Sequence, residues 1–427
     1  MAKKEDISTI EHKSELKPDS TSVLRLLIAA TLICGYLLPN TYWSEHSIST
    51  ILQKTQSQQF GTTGYAWGVW IACFVGTVLF SFRSRLDMQT MKVWGCVVLY
   101  ASACVVSSLP PGRSVVVSES CFAILAPLGF GLLAARICNT TIQVIKIFVV
   151  LVTIQCGYAF WYYVFRDEQF ISGTVHRIGG TYNHPTGIAT VTLVSVLGAV
   201  YLVLSSDSRR LSLLWAICAL SSFIALYLTW TRGCTLALLF GLPVMLWHST
   251  RNKRIVAASS LLLTLLVFMT WYHRVDGLQN ANSSSRSLSS HQTLMRNGID
   301  VFRRNWLTGV GIGELAVPNQ PSQDFAPTFN TGQVFPEPKN QLIFWLCEMG
   351  LSGGLLFVLF TVSLARTVSS SYEPCVAFLK GAWVAMIVAV SCDTLFGLAS
   401  RPYGTVTFAT LIGATLLLSK SNKNVGK

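Results

Sequence analysis

The stretch HRVDGLQNANSSSRSLSSHQTLMRNGIDVFRRNWLTGVGIGELAVPNQPSQDFAPTFNTGQVFPEPK, residues 273–339, separates two long apolar parts of the chain. It is the largest polar segment between them, and six basic residues lie in it: Arg274, Arg286, Arg296, Arg303, Arg304 and Lys339. The sequence on both sides consists of hydrophobic runs long enough to cross a membrane. We therefore predict one large loop outside the membrane and expect the loop to take part in the function.

The overall composition indicates a membrane protein. Of the 427 residues, 51% are hydrophobic and only 12% are charged, whereas soluble domains carry about 25% charged residues. Because a membrane span needs only ~20 residues, the length fits one bundle of helices. The predicted fold class is an all-α integral membrane protein. The net charge of +13 lies largely beside the apolar runs, which is typical of membrane proteins, so we expect no nucleic-acid partner.

The apolar runs predict about twelve transmembrane helices and divide the chain. Residues 1–21 form an N-terminal tail, 22–272 hold spans one to nine, and 273–339 form the large loop. Residues 340–419 hold spans ten to twelve, and 420–427 form a second tail. The spans are expected near 22–40, 63–82, 91–109, 119–137, 143–165, 185–205, 212–230, 233–250, 255–272, 340–364, 375–398 and 402–419.

The short links between spans predict the orientation. Alternate links are rich in Lys and Arg, for example Arg209-Arg210 and the link from Arg251 to Arg254. The positive-inside rule places these links and both tails in the cytoplasm. The large loop then lies on the far side, where topology does not explain its arginines, because long loops escape the rule. The two interpretations of the loop are a solvated segment and a site for an anion such as phosphate.

One part of the loop has helical periodicity. Met295, Ile299, Phe302 and Trp306 repeat at helical spacing, and charged residues fill the other face. We predict an amphipathic helix at the membrane interface, with the apolar face docked. Its arginines, Arg296, Arg303 and Arg304, are expected to meet lipid headgroups or substrate phosphates.

Three polar positions on the far side are candidates for chemistry. Arg177 precedes a Gly-Gly and His-Pro stretch that favours irregular backbone. Arg232 lies between two apolar runs with almost no link, where a charge is costly unless it is paired or functional. The alternative for Arg232 is a side chain that reaches the headgroups. Lys339 and Asn340 begin the tenth span, and Glu348 lies about two turns inside it.

Cysteine usage excludes two classes of site. The twelve cysteines lie mostly inside apolar runs, and no CxxC spacing occurs. They are interpreted as small buried hydrophobes, so the sequence predicts neither a zinc site nor redox chemistry, and no cofactor.

Four short motifs, taken in order, resemble the O-antigen ligase family. The first resembles the family's Arg and Gly-Thr-aromatic-Asn-Pro region, the second its signature arginine, the third its Pro-Leu-x-Gly-x-Gly segment and the fourth its loop end. In this chain they read Arg177 with Gly180-Thr181-Tyr182-Asn183-His184-Pro185; Arg232-x-x-x-Leu236; Trp306-Leu307-Thr308-Gly309-Val310-Gly311-Ile312-Gly313; and Lys339-Asn340, Leu342-Ile343, Glu348-x-Gly350, Gly353.

The resemblance implies a fold and an activity. The fold would be GT-C-like, in a multi-pass protein of the bacterial inner membrane. The activity would be a metal-independent, inverting glycosyl transfer from an undecaprenyl-diphosphate-linked glycan at the periplasmic face. The acceptor would be lipid A–core oligosaccharide, as in lipopolysaccharide biosynthesis. An O-antigen polymerase and a pilin or protein O-oligosaccharyltransferase are alternatives within the family. A secondary transporter is the alternative class, but no internal repeat of the kind common in transporters is evident.

The resemblance also implies roles for particular residues. Lys339, Arg232 and Arg177 are the predicted catalytic residues. Those predicted to bind substrate are Asn340, Glu348, Asn183, His184, Arg296, Arg303 and Arg304. Arginines match phosphate oxygens well and stabilise the charge that develops on a leaving phosphate.

Lys339 stands where the family has histidine. Lysine with its ordinary pKa of about 10.4 is protonated and cannot serve as a base. We interpret Lys339 as a third phosphate-binding cation or a residue that orients the acceptor. His184, Asp393 or Glu348 would then assist the proton transfer.

Overall fold

The computed structural model describes residues 140–165, 170–172, 175–179, 185–249, 281–311, 340–371, 373–392 and 401–425, with isolated positions at 131, 134, 135, 138, 256, 258–261, 264, 265 and 338. The first three predicted spans, much of the fourth and ninth, and most of the tails lie outside these residues. Four residues predicted for the site or its proton transfer also lie outside the described residues: Lys339, Asn183, His184 and Asp393.

The described residues form eight helices and one hairpin. The elements are α1 (Thr141–Phe165), β1 (Phe170–Ser172), β2 (Val175–Arg177), α2 (Pro185–Ser205), α3 (Arg209–Leu228), α4 (Arg232–Ser249), α5 (Ala281–Arg304), α6 (Gln341–Ser369), α7 (Val376–Cys392) and α8 (Arg401–Val425). Seven of the helices begin within one turn of a predicted apolar run. The prediction of a helical protein is confirmed, with one correction: β1 and β2 pair antiparallel, with Phe170 opposite Arg177.

Four described helices are long and apolar enough to cross a membrane: α1, α2, α3 and α6. Large apolar side chains on α1, α3 and α6 remain exposed, for example Ile154, Ile217 and Leu355. Lipid would cover such side chains, because a bilayer interior is as apolar as they are. The count of twelve spans and the GT-C-like arrangement stay predictions.

Helix α2 is the centre of the described bundle. It contacts α1, α3, α4, α7 and α8, and nearly all of its residues are buried. A Cβ built on Gly198 would lie 3.0 Å from a methyl of Val149 and 3.1 Å from one of Ile145. Because α2 is surrounded by other helices, hydrophobic residues occur on all of its sides.

Helices α4 and α7 approach each other more closely than ordinary side chains permit. Gly233, Ala237 and Gly241 recur at intervals of four on α4, opposite Gly381 and Ala385 on α7. A Cβ on Gly241 would lie 2.7 Å from the backbone oxygen of Gly381, and a Cβ on Gly381 would lie 2.7 Å from that of Gly241. Small residues at this spacing let membrane helices pack backbone to backbone.

Helix α5 is amphipathic, and one of its apolar stripes packs on α6; docking of the predicted face at the membrane interface stays a prediction. Leu294, Gly298 and Val301 are buried against α6, whereas Ile299 and Trp306 are 37% and 55% exposed. The apolar residues fall in two adjacent stripes of the helix, and periodicity alone does not distinguish them. Gly298 decides which stripe packs on α6. A Cβ built at this position would lie 3.0 Å from Ile343 and 3.1 Å from Pro338, so glycine allows α5 to come this close.

Candidate functional site

The hairpin caps the carboxyl end of α3. The last carbonyls of a helix lack partners within it and need donors from elsewhere. Ile178 N–H donates to the Leu228 carbonyl at 3.1 Å, and Arg177 Nε donates to the Thr229 carbonyl at 2.7 Å. A basic side chain is also favourable at this end of a helix because of its partial negative charge. The half-buried Arg177 is therefore fixed to α3, far away in sequence.

The turn between α3 and α4 has an unusual backbone. Trp230 has φ of 52°, in the left-handed region that only glycine and, less often, asparagine adopt readily. It follows the C-cap residue Thr229, the position where helices most often place glycine. Its ring packs against Tyr227, with 5.4 Å between ring centroids. The turn reverses the chain in three residues, which places Arg232 at the start of α4.

Arg177 also binds the other side of this turn. Its Nη2 donates to Thr231 Oγ1 at 3.2 Å, so one guanidinium connects the residues that flank Trp230. Arg177 and Arg232 thus come from different segments and lie at one turn, since Arg232 directly follows Thr231.

Arg232 is the first residue of α4, and the next residue packs against the end of α7. Gly233 faces Cys392, whose Cβ would lie 2.8 Å from a Cβ at position 233. A basic residue at a helix N-terminus gains nothing from that end, because the helix already presents partial positive charge there. The half-buried Arg232 therefore adds to a positive end that favours anions.

Asn340 joins the start of α6 to the same end of α7. Its Oδ1 accepts a hydrogen bond from Ile343 N–H at 3.0 Å, which makes it the N-cap of α6. Its Nδ2 donates to the Ser391 carbonyl at 2.9 Å. Asn340 therefore has a defined structural role in addition to its predicted role in substrate binding.

Two of the sequence motifs bind each other. Helix α6 is broken at Gly350, which has φ of 63° and ψ of −166°. The break frees backbone groups that need partners, and the segment after α5 supplies them. Val310 and Gly311 donate to the carbonyls of Cys347 and Glu348 at 2.8 and 2.9 Å, and Leu351 N–H donates to the Trp306 carbonyl at 2.7 Å. We call this pairing of Trp306–Gly311 with Cys347–Ser352 the clasp.

The clasp explains the glycines in both motifs. Gly309 and Gly350 have φ of 71° and 63°, and each faces the backbone of the other segment. A Cβ on Gly309 would lie 2.4 Å from the backbone of Glu348, and one on Gly350 would lie 2.3 Å from the Leu307 oxygen. Glycine is needed here for backbone contact, so these motifs indicate packing at least as directly as ligand binding.

Glu348 lies within the clasp and is 1% exposed. It is about 12 Å along α6 from Asn340, at 1.5 Å per residue. A carboxylate so deep in an apolar bundle is costly unless it is neutralised or paired.

The predicted arginines of α5 lie on the exposed side of that helix. Arg296, Arg303 and Arg304 are all exposed. Arg303 Nη1 lies 3.4 Å from Asp300 Oδ1, in an ion pair whose side chains are 74% and 58% exposed. Exposed pairs of this kind contribute little to stability, so these side chains remain available to solvent, lipid or substrate.

The site contains contributors that the sequence did not point to. Thr229 and Thr231 accept from Arg177, Ser391 accepts from Asn340, and the Cys347 thiol donates to the Gly298 carbonyl at 2.9 Å. The two threonines lie close to Arg232 in the sequence, so the prediction of Arg232 could have pointed to them. The others become visible only when the helices are packed. Within the described part of the chain, no group of three or more His, Cys, Asp or Glu could hold a metal ion.

Comparison with known proteins identifies part of the chain. Residues 216–358 match a protein-family model described as O-antigen ligase. The matched region is about a third of the chain and includes Arg232, the clasp and Glu348. The resemblance predicted from the motifs is confirmed over these residues, and the match supports a membrane enzyme that transfers glycans.

One solved structure has been described as "Structural coordination of polymerization and crosslinking by a peptidoglycan synthase complex". It aligns with 78% of this chain and 98% of its own, at 17% identity and a TM-score of 0.42. No curated protein sequence matches the chain.

Proposed function

We propose that the protein is a membrane glycosyltransferase that moves a glycan from undecaprenyl diphosphate to an acceptor hydroxyl at the periplasmic face. The observation that supports this most is the convergence of Arg177, Arg232 and Asn340 at one end of the bundle. Three links connect them: the turn at Trp230, the contact of Gly233 with Cys392, and the hydrogen bond from Asn340 to Ser391. Residues 216–358, which match the O-antigen ligase model, contribute two of the three.

The electrostatics of this end suit a diphosphate. Arg232 supplies a full positive charge at the N-terminus of α4, where the helix adds partial positive charge. Asn340 marks the N-terminus of α6 beside the end of α7. Arg177 adds positive charge at the same end, and Lys339 precedes Asn340 in the sequence. One guanidinium group can bind two phosphate oxygens at once, and its hydrogen bonds strengthen as negative charge develops on those oxygens.

The proposed step is a displacement at the anomeric carbon. The acceptor oxygen forms a bond to that carbon while the bond from carbon to the phosphate oxygen breaks, so the configuration inverts. Undecaprenyl diphosphate leaves with the electron pair, and the hydroxyl proton passes to a base. In the proposal Arg232 and Lys339 stabilise the leaving diphosphate, without a metal ion. Glu348, His184 and Asp393 are the candidates for the base.

Residues around this centre are proposed to hold the two substrates. Asn183 and His184, which precede α2, and Asn340, at the start of α6, would contact the diphosphate or the first sugar. The exposed arginines of α5, Arg296, Arg303 and Arg304, would meet headgroups or the phosphates of the acceptor. We propose lipid A–core oligosaccharide as that acceptor, in the inner membrane of a bacterium.

The first prediction concerns Arg232. The variant Arg232→Ala should lose about 10²–10³-fold in transfer rate, the scale for removing one donor to a developing anion. The measurement is transfer of radiolabelled glycan from undecaprenyl diphosphate by purified protein in lipid. Arg209→Ala is the matched control, because Arg209 is also the first residue of a helix but is exposed at the opposite end of the bundle. Equal activity of the two variants would remove Arg232 from the reaction.

The acceptor is decided by deleting the gene and separating the lipopolysaccharide on a gel. A ligase is supported if all capped molecules disappear and the core remains. Core carrying a single repeat would instead indicate a polymerase. Unchanged lipopolysaccharide together with lighter pilin would indicate a protein glycosyltransferase, and the lipid A–core proposal would be wrong.

A further inference from the structure

The turn at Trp230 is held in a conformation that its own sequence disfavours. A tryptophan with φ of 52° is strained, since its Cβ crowds the following carbonyl oxygen. Strained residues persist where surrounding contacts fix them, and they concentrate at functional sites. The turn leads directly into Arg232, so whatever holds the turn also sets where α4 begins.

Arg177 makes the contacts that hold this turn from outside. Its Nε donates to the Thr229 carbonyl at 2.7 Å, and its Nη2 donates to Thr231 Oγ1 at 3.2 Å. The guanidinium thus bridges the residues immediately before and after Trp230. Ile178, next in sequence and 2% exposed, anchors the arginine to α3 through its bond to the Leu228 carbonyl.

We propose that Arg177 is a positioning residue that locks the strained turn Thr229–Thr231 and thereby places Arg232 for the diphosphate. This inference rests on the proposed function and changes the role of one residue in it. Arg177 acts through the turn, because the edge of its guanidinium formed by Nε and Nη2 is engaged with Thr229 and Thr231.

The proposal predicts that relieving the strain reduces the need for Arg177. Arg177→Ala should lower kcat per folded molecule by about 10- to 100-fold, the scale of a small misplacement of a catalytic group. Trp230→Gly removes the strain, since glycine adopts a positive φ freely. The double variant Arg177→Ala/Trp230→Gly should therefore recover about tenfold over Arg177→Ala alone, the scale of one left-handed residue.

A matched control separates strain from loss of the indole. Trp230→Ala removes the same packing against Tyr227 but keeps a Cβ, and with it the strain. Arg177→Ala/Trp230→Ala should consequently recover nothing. If the Gly and Ala double variants are equally impaired while Trp230→Gly alone is active, Arg177 acts on the substrate directly and the proposal is overturned.

If variants at Trp230 do not fold, a second measurement tests the role of Arg177. Thr231→Val removes one acceptor of Arg177 and should lower kcat less than Arg177→Ala does. Adding Thr231→Val to Arg177→Ala should then have little further effect, because the contact with Arg177 is already lost and only the long bond from Thr231 Oγ1 to the Thr229 carbonyl, at 3.4 Å, is removed in addition. If the losses in kcat of the two single variants multiply in the double variant, the proposal is overturned. Failure of the proposed function is distinguishable, because the unmodified protein would then transfer no glycan from undecaprenyl diphosphate, whereas here only the variants lose activity.

Discussion

At the scale of single residues, the position before Asn340 carries the largest chemical departure from the O-antigen ligase pattern. Lysine stands there in place of histidine. An ammonium group at its ordinary pKa holds its proton at neutral pH and binds anions as a compact charge. Asn340, the next residue in the sequence, is bonded to the Ser391 carbonyl at the end of α7. We therefore propose that the charge at position 339 acts together with that of Arg232.

The prediction that follows is for Lys339→Arg. If Lys339 binds phosphate, the variant should keep activity within about tenfold of the original, because both side chains are permanently cationic but differ in shape and hydration. Lys339→Gln, which keeps polarity without charge, should lose substantially more. The measurement is the transfer rate at saturating donor. Near-complete loss in a folded Lys339→Arg protein would contradict simple phosphate binding and favour proton transfer.

The residues of the candidate site differ in how far the sequence could predict them. Arg177 and Arg232 could be placed at one end, because charges beside apolar runs are rare enough to be noticed. Their connection through the turn could not, since the sequence signal for a left-handed C-cap is glycine or asparagine and this chain has Trp230. The role of Asn340 as an N-cap was within reach of the sequence, but its bond to Ser391 depends on how α6 packs against α7.

At the scale of elements, the clasp has a direct consequence for stability. No residue with a Cβ fits at position 350, because the φ there is 63° and the Leu307 oxygen occupies the space that the Cβ would need. Gly350→Ala should therefore lower the free energy of unfolding by at least about 1–3 kcal/mol, the cost of a strained backbone alone. Thermal unfolding of the purified protein in detergent measures the change.

The control for this substitution is another glycine in an apolar helix. A Cβ on Gly157 of α1 would meet nothing within 4 Å, so Gly157→Ala should be neutral or slightly stabilising by helix propensity. Both substitutions add one methyl group, Gly350→Ala where backbone atoms fill the space and Gly157→Ala where the space is open. Equal melting temperatures for the two variants would contradict the clasp.

The elements were predictable where one signal dominates. Long apolar runs give the positions of α1, α2 and α3, because no other element of a membrane protein requires such runs. The hairpin was missed, since its strands have three residues each and lie between two spans. The face of α5 that packs on α6 could not be read from the sequence, because apolar residues occupy two neighbouring stripes and only contact with α6 distinguishes them. The break at Gly350 has a glycine signal, but the Trp306–Gly311 segment that completes it is distant in sequence.

At the scale of the whole molecule, the candidate site is made by packing rather than by any one segment. Arg177 comes from the hairpin, Arg232 from α4 and Asn340 from the start of α6, and small residues bring α4 against α7. Such an arrangement requires that the ends of these elements lie on the same side of the membrane. The positive-inside rule predicts which side, because the links at the opposite end, such as Ser206–Arg210, carry the basic residues.

This orientation can be tested by labelling single cysteines in a variant that lacks the twelve native ones. Arg296 and Asp207 are both exposed. Arg296 lies close to Gly298, which faces Pro338 and Ile343 at the start of α6, whereas Asp207 follows the far end of α2. With the outer membrane made permeable, a membrane-impermeant maleimide should label Arg296→Cys in whole cells. It should label Asp207→Cys only after the inner membrane is opened. Labelling of both after lysis is the control for accessibility. The reverse pattern would put the cations in the cytoplasm and exclude transfer at the periplasmic face, whatever the result for Arg232.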